Sequence, residues 1–139
     1  MFIRSANISD IRQVLALWTE ADAQPTVTDD DASLQVLLRN APNSLLVAED
    51  SDKVLGSLIV GWDGWRGTFY RLAVASDYRR RGIARSLVFD GERQLIRLGA
   101  RRIAVFAVNS DEGAVPFWEA LGYVGQTDRQ RLVKNIASP

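Results

Sequence analysis

The stretch from Leu72 to Gly99 constrains the fold of this chain most. A strand-like apolar run, Leu72-Ala73-Val74-Ala75, passes through a loop holding Arg79, Arg80 and Arg81 to Gly82, and then into a long helical pattern that ends at Gly99. A buried strand that feeds a helix through a short loop is the building unit of α/β architecture, because the helix must fold back over the sheet to bury its apolar stripe. The loop also carries an electrostatic conflict. Cationic side chains at a helix N-terminus oppose the helix dipole, and here four arginines (79, 80, 81 and 85) fall within seven positions. An anion removes the conflict, since first-turn N–H groups lack intrahelical partners and Gly82 has no Cβ to keep a phosphate off the backbone. Several phosphates need about that many guanidinium groups. The competing reading, an exposed basic turn with no ligand, leaves the conflict standing.

Around this unit the chain alternates helical and strand patterns without a repeat or a low-complexity tract. Residues 2–6 read as a strand. Ser9 is placed to cap a helix in which Ile11, Val14, Leu15 and Trp18 fall at i, i+3, i+4 and i+7, and Trp18 is therefore read as core. The run Asp29-Asp30-Asp31 reads as a solvated N-terminal cap of a second helix carrying Leu34, Leu37 and Leu38 and ending before Pro42. Segments 45–49 and 54–62, joined by Asp50-Ser51-Asp52-Lys53, read as a hairpin, and 68–75 as a third strand beyond a Gly-rich turn. After the long helix come a strand over 102–108, a helix over 114–121 ended by Gly122, and two closing strands over 123–126 and 131–134. The order β-α-α-β-β-β-α-β-α-β-β predicts an α/β fold on a mixed sheet. At 139 residues the chain reads as a single domain, 1–139.

With no Cys and no His, disulfides, thiol nucleophiles, imidazole bases, serine triads built on His and thiolate or imidazole zinc sites are all excluded. No metal is expected, and chemistry must run on carboxylates, hydroxyls, amines, backbone dipoles or a bound cofactor. The longest strictly apolar stretch is the six residues 103–108, too short to span a bilayer, and the first twelve residues lack the apolar run of a signal peptide. No membrane association and a cytoplasmic location are the expectation. The formal net charge is zero, yet residues 1–65 hold four basic and ten acidic side chains and residues 66–139 thirteen basic and seven acidic. Such asymmetry fits an anionic ligand in the second half and a cationic one near the first, or simple pairing across the fold.

Arg79-x-x-Gly82-x-Ala84 resembles the Arg/Gln-x-x-Gly-x-Gly/Ala signature of the GNAT family of N-acetyltransferases. The likeness extends in order through Ile3-Arg4-x-Ala6 with Asp10, Leu72-Ala73-Val74, Asn109 and Phe117-Trp118-Glu119-Ala120-Leu121-Gly122-Tyr123. The turn Gly61 to Gly67 is similar to the Gly-x-Asp-Gly-x-Arg-Gly turn of a small bacterial subgroup. The resemblance implies a mostly antiparallel central sheet flanked by helices. It also implies acetyl-CoA as co-substrate, with its pyrophosphate on the loop Arg79, Arg80, Arg81, Gly82, Ile83 and Ala84 and a further phosphate near Arg85. Its pantetheine arm would lie along Leu72, Ala73 and Val74, with Asn109 touching the same arm. The Val74 region would donate a backbone N–H to the thioester oxygen.

Two departures stand beside these matches. Trp118 occupies a position where the family often has an acidic tyrosine, and Thr68 one where it often has a basic glutamate; neither side chain handles protons at neutral pH. Tyr70, two residues from Thr68 on the same strand face, is the replacement candidate for a proton-handling or substrate-orienting role, or else an ordinary core tyrosine. Trp62, Asp63 and Trp65 are expected either to hold a cationic acceptor by cation–π and charge contacts or to stabilise their own turn through an Asp63–Arg66 pair. The resemblance therefore implies acetyl transfer to a small-molecule or peptide amine by direct attack, in a chain capable of forming a homodimer. The alternative is a catalytically weak acyl-CoA-binding sensor of the same fold. Nucleic-acid binding is not expected, since the basic cluster is one loop without interleaved aromatic residues.

Overall fold

The computed structural model describes residues 1–21, 25–108 and 111–137. They fall into two compact units, the first from Met1 to Val105 and the second from Phe106 onward.

In the first unit, β1 (Phe2–Ser5), α1 (Ile11–Glu20), α2 (Asp31–Asn40), β2 (Leu45–Asp50), β3 (Lys53–Trp62), β4 (Gly67–Val74), α3 (Ile83–Leu98) and β5 (Ile103–Val105) follow in order. The five strands lie side by side in sequence order, antiparallel except for the parallel pair β4–β5. The β2–β3 hairpin closes through Ser51 and Asp52, both at positive φ, as a two-residue turn matched to strand twist requires.

Helix starts differ in detail from the sequence reading. Asn7, not Ser9, caps the 3-10 turn Ile8–Asp10 that leads into α1: its extended backbone lets its side chain accept from Ser9 N at 3.0 Å, while Asp10 accepts from Asn7 N at 2.8 Å. The acidic run divides its labour. Asp30 caps α2 by accepting from Ser33 N at 2.8 Å, Asp31 sits in the first turn, and Asp29 is not a cap at all.

Alternation along β2 sends Leu45 and Val47 into one core with Ile11, Val14, Leu17, Trp18, Leu34 and Leu38, so α1 and α2 cover one face of the sheet. On the other face lies α3, seated unusually close. A Cβ on Gly91 would stand 2.9 Å from the Phe69 ring, and one on Gly56 3.0 Å from Leu87. Gly91→Val therefore overpacks this contact, and urea denaturation should show a loss of about 1–3 kcal/mol. An unchanged midpoint would mean that α3 lifts off the sheet without cost.

The second unit holds α4 (Ala114–Ala120), whose Trp118 makes edge contacts with Phe117 at 5.2 Å and Tyr123 at 5.0 Å. Gly122, at positive φ, ends it as expected. The closing strands expected over 123–126 and 131–134 do not form, and the strand expected over 102–108 is only Ile103–Val105. Val124, Leu132, Val133 and Ile136 stand exposed. Two short segments split by Gly125 and the polar stretch 126–131 have too little to hold them as an isolated hairpin, and this unit contains no described strand to supply an edge.

Candidate active site

β4 is the strand on which the candidate site is built. It extends to Val74, but β5 pairs only with Gly67, Thr68 and Phe69, so among the described residues of the first unit no strand pairs with Leu72, Ala73 and Val74 on that side. A strand edge of this kind presents N–H and C=O groups to any extended partner. Leu72, Ala73 and Val74 lie along it.

A bulge divides the strand. Arg71 adopts φ 52, and the register with β3 shifts between Ser57 and Ile59. Before the bulge Phe69 packs toward α3, while Thr68 and Tyr70 share the opposite face beside Gly61. The extra residue then turns Arg71 onto the α1–α2 side as well. Its guanidinium stands 5.5 Å from the Trp18 ring centre and pairs with Asp29. A short chain of hydrogen bonds holds the bulge: Trp18 Nε1 donates to Ser57 Oγ at 2.9 Å, and Ser57 Oγ donates to the Arg71 carbonyl at 2.9 Å. Trp18 is core, as read from sequence, and its indole N–H also has work to do at the site. Tyr70 is 41% exposed, too open for an ordinary core tyrosine.

The loop after β4 is tied down at both ends. Glu20, at the end of α1, accepts from Ser76 N at 3.1 Å and from Ser76 Oγ, and these bonds hold its carboxyl below the usual range. Arg79 Nε donates to the Val74 carbonyl at 3.2 Å, and Arg81 stacks 5.0 Å from the Tyr78 ring. Arg80 and Gly82 both take positive φ, and nothing lies within 4 Å of where a Gly82 Cβ would be. No side chain caps α3, whose first internal bond runs from Ser86 N to the Gly82 carbonyl, so the N–H groups of Ile83, Ala84 and Arg85 precede the helical ladder. Backbone donors beneath open space, among exposed arginines, suit a polyphosphate.

Not all of the expected residues meet here. Leu72, Ala73 and Val74 lead directly into Arg79, Arg80, Arg81, Gly82, Ile83, Ala84 and Arg85. Trp62, Asp63 and Trp65 sit at the other end of β4, roughly 25 Å away for a strand of this length. There Asp63 Oδ1 accepts from Arg66 N at 2.7 Å and Trp65 N at 2.8 Å, backbone bonds that lower its pKa, and Arg66 covers the Trp65 ring at 4.0 Å. Trp118 belongs to the second unit, and Asn109 lies outside the described residues. Sequence reasoning missed Arg71, Asp29 and Ser57. A charged residue inside the apolar run of β4 was the available signal for Arg71; Asp29 looked like one more capping carboxylate.

The sequence matches the acetyltransferase (GNAT) family over residues 9–123. It is 34% identical to an acetyltransferase of Sodalis glossinidius (strain morsitans), over 98% of this chain and 96% of that protein. It is 32% identical to an acetyltransferase of Yersinia enterocolitica, over 91% and 89%. Among solved structures, Ard1 from Thermoplasma volcanium superposes with a TM-score of 0.78 at 19% identity, covering 88% of this chain and 82% of that one, a likeness of fold. The chain thus belongs to the GNAT family of acetyltransferases. No helix among its described residues is long and apolar enough to cross a membrane.

Proposed function

We propose that the chain is an acetyl-CoA-dependent N-acetyltransferase acting on a small-molecule or peptide amine. The observation that carries this reading is the β4 edge, left without β5 beyond Phe69 and running straight into the open Gly82 loop. Acetyl-CoA supplies the acetyl group as an activated thioester. Gly82, Ile83, Ala84 and Arg85 offer backbone N–H groups to its phosphates, Arg79, Arg80 and Arg81 add charge, and Leu72 to Val74 offer strand-like pairing to its arm. The Val74 N–H is the candidate donor to the thioester oxygen.

Transfer by direct attack forms the amide bond and breaks the C–S bond, since the chain has no Cys to carry an acyl group. A thiol with pKa about 8.5 leaves tolerably as thiolate, the Tyr70 phenol O–H is the candidate to give that thiolate its proton, and the amine proton passes to solvent. We place the acceptor beside Tyr70 on the α1–α2 face, where the Asp29–Arg71 pair stands, rather than at the turn of Trp62, Asp63 and Trp65, whose carboxylate is committed to its own backbone.

Release of free CoA, followed across a panel of amines, tests the reading; no amine-dependent release from any of them would overturn it. With an active amine, Tyr70→Phe should lower kcat by about 10²-fold, the low end for general acid–base catalysis, while Trp118→Phe keeps most of it. Near-wild-type rates for both variants would assign both protons to water. Asp63→Ala should lower the melting temperature, because it strips the turn of its two backbone bonds, and leave the acceptor KM unchanged. A raised KM for cationic amines alone would return the acceptor to that turn.

A further inference from the structure

We infer that the first unit carries a second binding site, for a planar organic anion, at the end of β4 and α3 remote from the arginine loop. A cleft of about 490 Å³ opens there, lined by Trp62, Trp65, Arg66, Leu98, Arg101 and Arg102, with Gly64 and Gly99 in its wall. Its volume is that of small-ligand sites. The cleft lies at the C-terminal end of α3, about 24 Å along the sixteen-residue helix from Gly82, so it is no extension of the phosphate loop.

Charge defines what the cleft takes. Three of its lining residues are arginines and none is acidic. Among the described residues no carboxylate stands within ion-pair distance of Arg66, Arg101 or Arg102; Asp63 is committed to the turn's backbone and feels Arg66 only through space. A helix C-terminus favours a cation nearby, but α3 already has Arg97 in its last turn, and the carbonyls of Leu95 and Ile96 are satisfied by Ala100 N and Gly99 N. Three further guanidinium groups around one cleft repel each other until an anion bridges them.

Ring chemistry adds the second requirement. Trp65 is 68% exposed, with one side covered by Arg66 at 4.0 Å, so the turn holds a guanidinium–indole stack ready-built beside the other arginines. A flat aromatic or heteroaromatic ring extends such a stack while its carboxylate or phosphate meets Arg101 and Arg102. Glycines at 64 and 99, both at positive φ with nothing within 4 Å of a Cβ, keep the rim low.

The test is a backbone amide and indole N–H titration of the full chain by NMR. One arm uses adenosine 5′-monophosphate, with adenosine as its uncharged counterpart. The other uses indole-3-carboxylate, with indole-3-carboxamide. At least one charged probe should shift Gly64, Gly99, Arg101 and the Trp65 indole to saturation, and its uncharged counterpart should bind about tenfold more weakly, the loss of one charge-assisted contact. The arm that saturates tells whether phosphate or carboxylate is preferred. Arg101→Gln and Arg102→Gln should each weaken the charged probe by about the same factor, with Arg102→Lys restoring part of it. No shift in the cleft at millimolar probe, equal shifts from charged and uncharged probes, or unchanged affinity in both glutamine variants would overturn the site. Shifts confined to Ile83–Arg85 would assign the probe to the phosphate loop and equally overturn it. The titration needs no acetyl-CoA, so its outcome is independent of the proposed transfer reaction.

Discussion

Acetyl-CoA at a hundredfold excess over its Kd should raise the melting temperature of the wild-type chain and leave that of Gly82→Asp where it was. A ligand bound only to the native state adds RT ln(1 + L/Kd), about 2.7 kcal/mol at that excess, which for a chain of this size is a rise of roughly 8–12 °C. Gly82 sits at φ 81 with open space above it, so an aspartate there meets no neighbour. Its cost is the left-handed backbone, of order 1 kcal/mol and least for Asp and Asn, offset in part by a negative charge near the helix N-terminus. The variant should therefore fold. What it loses is the anion site, because its carboxylate occupies the space over the first-turn N–H groups and repels phosphate. Thermal melts with and without acetyl-CoA decide the matter. An equal rise in wild type and variant would move the phosphates away from Gly82, and no rise in the wild type would remove acetyl-CoA itself.

The second large effect concerns stability. Asp10 is buried and takes a two-pronged bond from Arg4, at 2.7 and 2.8 Å, while also accepting from Asn7 N. Arg4 also donates to Glu49 Oε1 at 2.8 Å, so one guanidinium ties β1, β2 and the entry to α1 together. Asp10→Ala leaves Arg4 half-buried with one partner instead of two and removes the capping box, a loss of about 3 kcal/mol, at the low end for breaking a buried pair because Glu49 remains. The effect depends on pH in a defined direction. Arg4, and then the Asn7 backbone, hold the Asp10 pKa below its ordinary 3.8. The stability tied to its charge is complete above the ordinary value and is lost as pH falls through the lowered one. Urea midpoints of wild type and Asp10→Ala should thus differ fully at neutral pH and draw together only as pH falls from the ordinary 3.8 through the lowered value. A gap that persists undiminished into acid would assign the loss to packing alone.

Much of the fold was legible because local patterns decide it. The 3.6-residue stripe of α1, the leucines of α2, the polar turn between β2 and β3, and Gly99 and Gly122 after their helices each carry their own stop, start or buried face. So was the loop from Arg79 to Arg85, where the charge conflict with the dipole is a property of adjacent residues. The segments 123–126 and 131–134 form no strands for the converse reason. Val124, Leu132 and Val133 have strand-like character, but a strand exists only where another edge receives it.

The candidate site divides along the same line. Sequence by itself determined the class of architecture, the concentration of arginines before a helix start with its glycine, and the exclusion of thiol and imidazole chemistry, since these depend on composition and near neighbours. Tertiary structure decided which residues share the site. A bulge at Arg71, held by Trp18 and Ser57, turns a strand arginine onto Asp29 from forty-two positions away. Eight residues of β4 carry the tryptophan turn away from the loop, and β5, ending at Val105, pairs with only the first three of them. Register, bulge and strand length act between segments distant in the chain, so no window of sequence contains them.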